Sequence, residues 1–393
     1  MINLTKMLTE FNSYGDKLRY HKSCSKSSTG TLKNRGPVVV WNCTGKCNLK
    51  CKHCYSNSAS PEKEGVLTTK EGLNLIDDLT SNNIPVLLFS GGEPFKRKDL
   101  FTLIDYATQS GIRSVISSNG TLIDKQTALK AKKHGVSYIG ISLDGMRDIN
   151  DQFRGVEGAF DMALRGIRNC QEVDQKVGLR FTINKFNYQE IDNIFRLIEQ
   201  ENIPRVCFYH LVYSGRGEVL KDYGLDDQTK REVMDKIINW TRYFIKQGNP
   251  KEILTVDNHA DGVYLYLKMI KNESKRADKI YQLLQLSGGN RSGIAIANID
   301  HKGEVHPDQF TSDINLGNIR DSNFSEIWKN NDSPFLQKLR ERKKHLKGRC
   351  QECRFLDLCN GNFRARAHSV TGDFWASDPG CYLTDEEIGV DNK

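Results

Sequence analysis

The 393-residue sequence predicts an α/β fold: a partial (β/α)6 barrel of parallel strands with a smaller, cysteine-bearing module at its C-terminal end. Three observations carry this expectation. Short β-branched runs alternate with amphipathic helical patterns from residue 37 to 211; after about residue 217 long helices take over; and eight of the eleven cysteines fall in two groups near opposite ends of the chain. Repeated strand–helix units pack their helices outside a parallel sheet and leave chemistry to the carboxyl ends of the strands.

Candidate strands occupy residues 37–43, 85–90, 113–118, 137–143, 178–184 and 205–211. Helical patterns follow most of them. Residues 68–81 open on Thr68 and Thr69 as caps and set Leu73, Ile76 and Leu79 at near-helical spacing; 98–110, 125–134, 158–172 and 189–200 behave likewise. Beyond the barrel, 225–247 and 260–271 read as helices and Ser287-Gly288-Gly289-Asn290 as a flexible turn. Residues 294–299 and 304–306 form a small hairpin about Lys302-Gly303. A basic stretch from Lys338 to Arg349, expected as a solvated helix face, leads into the second cysteine group. The expected organisation is an N-terminal extension (1–35), a barrel (36–217), a helical and hairpin bridge (218–330) and a C-terminal module (331–393).

At 38% hydrophobic and 27% charged, the chain can bury a sizeable core and is not a disordered protein. Its longest apolar stretches, such as Val38-Val39-Val40-Trp41, fall far short of a bilayer span, and residues 1–10 lack a signal-peptide pattern. A cytoplasmic protein without a membrane partner is expected. The 57 Lys and Arg against 49 Asp and Glu give a net charge of +8, too evenly mixed for a nucleic-acid partner. In a reducing compartment grouped cysteines are metal ligands, not disulfides.

Cys47, Cys51 and Cys54 form C-x-x-x-C-x-x-C directly after the first strand. Three thiolates at this spacing can hold three irons of a cubane cluster and leave the fourth iron open to a ligand. A structural zinc is the alternative, with Cys43 or His53 as its fourth ligand. The second strand ends in Ser90-Gly91-Gly92-Glu93-Pro94, the third in Ser118-Asn119-Gly120, the fourth in Ser142-Leu143-Asp144-Gly145. The glycines admit a ligand close to the backbone, and Glu93 can accept from an ammonium group. Cys350-x-x-Cys353-x5-Cys359, then Cys381 after 21 intervening residues, supply four thiolates for either a second 4Fe–4S cluster or a zinc. Cys24, Cys43, Cys170 and Cys207 are expected to be small buried hydrophobes.

From about Gly36 to Leu211 this chain resembles the radical S-adenosylmethionine (SAM) superfamily, through Cys47, Cys51, His53-Cys54-Tyr55 and Gly91-Gly92-Glu93-Pro94. The resemblance implies a 4Fe–4S cluster on Cys47, Cys51 and Cys54 whose open iron chelates SAM. It sets the SAM amino group near Gly91, Gly92 and Glu93, with Ser118, Asn119, Ser142 and Arg154 as candidates for its ribose and carboxylate. The reduced cluster would split SAM into methionine and a 5′-deoxyadenosyl radical, using electrons from an unidentified low-potential donor. Cys350, Cys353, Cys359 and Cys381 resemble the C-terminal auxiliary-cluster module (SPASM or twitch type) of these enzymes, which implies one further 4Fe–4S cluster.

Later segments resemble the haem-biosynthesis branch that works on sirohaem derivatives: Val305-His306-Pro307-Asp308-Gln309-Phe310, Leu316-Gly317-Asn318-Ile319-Arg320 and Asn360-Gly361-Asn362-Phe363-Arg364-Ala365-Arg366. Some members of that branch remove two acetate side chains from 12,18-didecarboxysirohaem to give iron-coproporphyrin III; others act on its propionates on the way to haem d1. Residues 41–47 look closer to the acetate-removing members. Such a polycarboxylate iron tetrapyrrole needs cationic anchors and an iron ligand, for which Arg180, His210, Arg216, His259, Arg291, His306, Arg364 and Arg366 are candidates. A peptide-modifying radical SAM enzyme is the nearest alternative, although 36 residues before the first strand are too few for a recognition domain. An electron carrier or zinc-stabilised binding protein would leave the Gly91-Gly92-Glu93 turn unexplained.

Overall fold

A computed structural model describes residues 1–13, 15–21, 29–58, 64–329 and 333–390; Cys24 lies outside them. The six expected strands are present within one residue of their predicted limits: β2 (Val38–Asn42), β3 (Val86–Ser90), β4 (Arg113–Ser118), β5 (Tyr138–Ser142), β6 (Val177–Ile183) and β7 (Arg205–His210). All pair in parallel, in sequence order. The sheet then extends past both limits of residues 36–217. Strand β8 (Glu252–Val256) adds in parallel to β7, and β9 (Ile296–Ile299) in parallel to β2. The predicted hairpin is β9 with β10 (Val305–His306). Strand β1 (Ile2–Asn3) closes the other edge antiparallel to β8, so residues 1–35 contribute to the sheet and are not a mere extension.

Strand alternation sorts the side chains into two sets. Trp41, Phe89, Ile116, Ile139, Ile141, Phe181 and Phe208 face outward into the main core, against Leu75, Leu79, Leu103, Ile104, Ile167 and Ile194 of the surrounding helices. Each such side chain buried contributes about 1.5–3 kcal/mol. The alternate residues, Val40, Leu88, Ser117, Ser142, Arg180 and Tyr209, line a common interior, which is the curvature of a partial barrel. The helices follow the predicted pattern. Thr68 caps Thr69–Ser81 through a reciprocal box, its Oγ accepting from the Glu71 N–H while the Glu71 carboxylate accepts from the Thr68 N–H.

One helix was not expected, and two local expectations need correction. The polar segment Arg147–Arg154 is a helix whose last carbonyls accept from the cluster loop, Lys50 N–H to Arg154 O at 3.0 Å and Lys52 N–H to Phe153 O at 3.0 Å. The basic stretch is not one solvated helix: Pro334–Arg340 ends at Glu341, and Arg342 turns inward, fully buried, to donate to Leu339 O, Ser292 O and Asn290 Oδ1. A guanidinium with five donors can satisfy carbonyls that a helix would otherwise leave bare. Residues 287–290 are a packed joint, not a flexible turn. Gly288 ends the helix Ala277–Ser287, and at Gly289 a Cβ would lie 2.7 Å from Leu358 O and nearer still to the Cys359 carbonyl. Among the described residues no helix is long and apolar enough to cross a membrane.

Candidate active site

The loop after β2 and the carboxyl ends of the parallel strands border a cleft of about 170 Å³. Cys47, Cys51 and Cys54 all face it, as do Gly91, Gly92, Ser118, Asn119, Ser142 and Arg154. The loop is fixed by backbone contacts that leave no room for side chains. Gly92 N–H donates to Thr44 O and Glu93 N–H to Lys46 O, both at 2.8 Å. Gly91 has φ +137°, and a Cβ there would sit 2.5 Å from Thr44 O.

Glu93 departs from the expectation. It is fully buried behind the wall and does not line the cleft; its carboxylate accepts from Ser118 Oγ and Asn119 N–H, both at 2.8 Å. It therefore ties the end of β4 to the turn after β3, and burial pushes its carboxyl up to about 7.

The donor set suits a cluster with one open iron. Cys43 is fully buried, donates its thiol to Ser90 O at 3.3 Å, and is absent from the cleft wall. Burial pushes its thiol up to about 12. His53 lies against Asp144 at 3.7 Å and stacks on Phe153 with centroids 4.6 Å apart, and burial holds its imidazole down at about 4. Of the two fourth ligands considered for a zinc, Cys43 is turned away from the cleft, whereas His53 lines it with its Nδ1 unpartnered among the described residues. Burial likewise raises Cys47, to about 11, and Cys51, a cost that a bound multivalent cation would offset. Donors already point at the sulfurs: Leu49 N–H at Cys47 (3.4 Å), Arg154 at Cys51 (3.6 Å) and Ser58 N–H at Cys54 (3.5 Å). Arg154 also pairs with the buried Asp144.

Two further residues bear on the cleft: Tyr55 of the sequence motif, and Asp257, which sequence reasoning did not single out. Tyr55 Oη bonds Asn42 Oδ1 at 3.1 Å and Ser90 Oγ at 3.0 Å. Asp257, at the end of β8, has φ +64° and lines the cleft, with burial raising its carboxyl to about 7. A positive φ on a buried non-glycine at a strand end is the usual mark of a functional position, but the sequence shows no signal for it.

The second group also converges. Cys350, Cys353, Cys359 and Cys381 line one small pocket with Ala260, Val263 and Leu383. Burial raises Cys353, Cys359 and Cys381, and each is raised further by the charge of a neighbouring thiolate. Four such groups in one apolar pocket fit full coordination of a metal centre.

The substrate candidates separate cleanly. Arg364 donates to Gly361, Phe374 and Ala376 carbonyls, Arg366 pairs with Asp378, and His306 Nδ1 lies 2.7 Å from Ile314 O. Arg216 donates to Cys51 O and Ser58 O. These four are internal supports. His210 pairs with Asp261 at 2.9 Å and also lines the cleft. Arg180, His259 and Arg291 line a second, deeper cavity.

Residues 41–198 match the radical SAM superfamily, and 293–354 match an iron–sulfur cluster-binding (SPASM) domain. The chain is 51% identical to an Fe-coproporphyrin III synthase of Methanosarcina barkeri, over 99% of both chains. It is 41% identical to a pre-heme d1 synthase of Dinoroseobacter shibae, over 96% of this chain and 93% of the relative. A crystal structure of Streptococcus suis SuiB bound to S-adenosylmethionine shares the fold, with a TM-score of 0.70 at 19% identity, covering 92% of this chain and 80% of that one. The cofactors are accordingly SAM with a 4Fe–4S cluster, and an auxiliary iron–sulfur cluster in the SPASM domain. The chain belongs to the radical SAM, SPASM-bearing family of haem-synthesis enzymes that includes Fe-coproporphyrin III synthase.

Proposed function

We propose that this enzyme removes the two acetate side chains of 12,18-didecarboxysirohaem to give Fe-coproporphyrin III. The observation that carries the reading is the 51% identity, end to end, with an Fe-coproporphyrin III synthase, against 41% with a pre-heme d1 synthase. When reduced, the cluster supplies the electron that splits SAM into methionine and a 5′-deoxyadenosyl radical, which takes hydrogen from the substrate.

In this reading Cys47, Cys51 and Cys54 hold that cluster and Cys350, Cys353, Cys359 and Cys381 the auxiliary one. Their arrangement around two separate pockets supports it. Gly91 and Gly92 bring the backbone up to SAM, with Ser118, Asn119, Ser142 and Arg154 around its ribose and carboxylate. All six line the cleft beside the thiols. Arg154 is also set to neutralise charge on the Cys51 sulfur. Glu93 acts through the residues that it holds, Ser118 and Asn119. The electron donor is a low-potential reductant of the cytoplasm.

The test is anaerobic incubation of the reconstituted enzyme with dithionite, SAM and 12,18-didecarboxysirohaem, the tetrapyrrole being followed by mass spectrometry. Loss of two acetate units is expected. Loss from the propionates, or an unchanged tetrapyrrole beside 5′-deoxyadenosine, would overturn the substrate assignment.

A further inference from the structure

Below the cleft the barrel interior continues into a deeper cavity of about 360 Å³, and Val40, Leu88, Arg180, Tyr209, Asp257 and Gln309 line both. Its volume lies at the lower end of ordinary small-molecule pockets, about 300–1000 Å³, and it opens into the cleft above. Six of its lining side chains hold a buried polar atom without a hydrogen-bond partner among the described residues, Tyr138, Arg180, Arg205, Asp257, His259 and Gln309, and of these Arg180 and His259 suit a carboxylate and an iron.

Arg180, on β6, donates to Ser117 Oγ at 2.8 Å and lies over the Tyr209 ring, 5.8 Å from its centroid, while its Nε has no hydrogen-bond partner. Among the described residues no carboxylate oxygen comes within salt-bridge distance of it. Gly140 on β5 makes the room: a Cβ there would lie 3.0 Å from Arg180 Cζ and closer to Nε. Arg205, in contrast, faces Glu252 at 3.5 Å, and Arg19 pairs with Asp16 and Glu252.

His259 precedes the helix Ala260–Lys271. It is 7% exposed, held by its backbone N–H on Asn362 Oδ1, and its ring makes no hydrogen bond among the described residues. A buried imidazole without a partner is rare, because burying either ring nitrogen bare costs about 1–3 kcal/mol. Burial also holds His259 well below its ordinary range, hence in the neutral form that ligates metals. Two acids share the cavity wall, Asp257 and Asp308, and burial raises both, so they do not cancel the arginine charge at low pH.

We propose that this deeper cavity seats the iron tetrapyrrole, with His259 as an axial ligand to its iron and Arg180 binding one of its carboxylates. The proposal rests on the substrate class proposed above. It needs no movement of the cluster loop, because Arg180 and Tyr209 lie on the boundary between cavity and cleft. A macrocycle anchored there would present its rim to the SAM side.

The test uses ferric Fe-coproporphyrin III, the expected product, added to anaerobic holoenzyme. The wild type is expected to bind it and to show the optical and EPR signature of a nitrogen-ligated iron. His259→Ala should lose that signature and regain it with added imidazole, while iron content and SAM binding stay at wild-type levels. Gly140→Ala, which displaces Arg180 without touching its charge, should weaken binding about tenfold or more and leave the signature intact. An unchanged signature in His259→Ala overturns the ligand assignment while keeping the substrate class. Failure of the wild type to bind the porphyrin at all overturns the substrate class as well. If His259→Ala does not fold, nitrogen hyperfine couplings in wild-type complex made with 15N-histidine decide: couplings unaltered by the label overturn histidine ligation.

Discussion

Gly92→Ala is a test of whether backbone contact, and not side-chain chemistry, sets the cluster loop. A Cβ at Gly92 would lie 2.5 Å from the Lys46 carbonyl carbon and nearer to its oxygen, with the Cys47 nitrogen at 3.2 Å. Ordinary carbon contacts are about 3.5–4 Å, so the Lys46–Cys47 peptide must retreat by about 1 Å. That movement breaks the Gly92-to-Thr44 and Glu93-to-Lys46 hydrogen bonds, each 2.8 Å long. Overpacking costs about 1–3 kcal/mol. Each buried backbone group left bare adds about 1–3 kcal/mol. Staying put is therefore as unfavourable as moving, and Cys47 moves with the loop.

The assay is iron per chain after anaerobic reconstitution, with 5′-deoxyadenosine formation beside it. The wild type should hold about eight irons and the variant about four, the auxiliary cluster alone. Where a cluster does assemble, a misplacement of about 1 Å should slow SAM cleavage about 100-fold. Gly111→Ala is the control for backbone strain alone: its φ is +82° but nothing lies within 4 Å of its added Cβ, so it should lose some stability and keep its full iron. Full iron content and a wild-type rate in Gly92→Ala would refute the reasoning.

Cys381→Ala should lower iron by about four per chain and leave the first cluster in place; unchanged iron, or loss of zinc, would refute the ligand set. Arg366 grips Asp378 through two hydrogen bonds of 2.8 Å, with both side chains at most 3% exposed. Arg366→Ala leaves that buried carboxylate without its cation, held only by the Phe363 and Gly380 N–H groups, and should destabilise by about 3–5 kcal/mol. A normal melting temperature in the variant would refute the clamp. Glu93 gives a pH signature. Its carboxyl rises from an ordinary 4.5 to about 7, so its share of stability is complete below 4.5 and is lost as pH rises through about 7. In cluster-free protein the stability of the wild type relative to Glu93→Gln should fall by roughly 3 kcal/mol across that window; a constant difference would refute it.

The strands that carry the site were legible because each is a β-branched run between turn residues, and such a run states its own limits. The thiol groups and the Gly91-Gly92 turn were equally local. What escaped was whatever depends on a distant partner. Strand β1 is two residues long, Ile2 and Asn3, and exists only against Leu254 and Thr255. The segment Glu252–Val256 has the composition of a strand but follows a long helix in a region whose rhythm had changed. Arg342 and Arg366 looked like solvent-facing cations or substrate anchors, because nothing local reveals that carbonyls or an aspartate wait for them inside. Glu93 was misplaced by the same limit: sequence gives its neighbours in the turn, not that Ser118 and Asn119 would take up both its oxygens.

The pairing of β1 with β8 orders events during synthesis. Ile2 leaves the ribosome some 250 residues ahead of its partner Thr255, an interval of about 12–50 s at ordinary elongation rates. Throughout it the helix Leu4–Leu8, whose Leu4 and Met7 end fully buried, has no core to enter. This segment, made some 250 residues ahead of its partner, is thus among the last to dock, and docking covers the open edge of the sheet. A nascent chain stalled before residue 252 would carry an exposed apolar leader, the kind of signal on which trigger-type chaperones act.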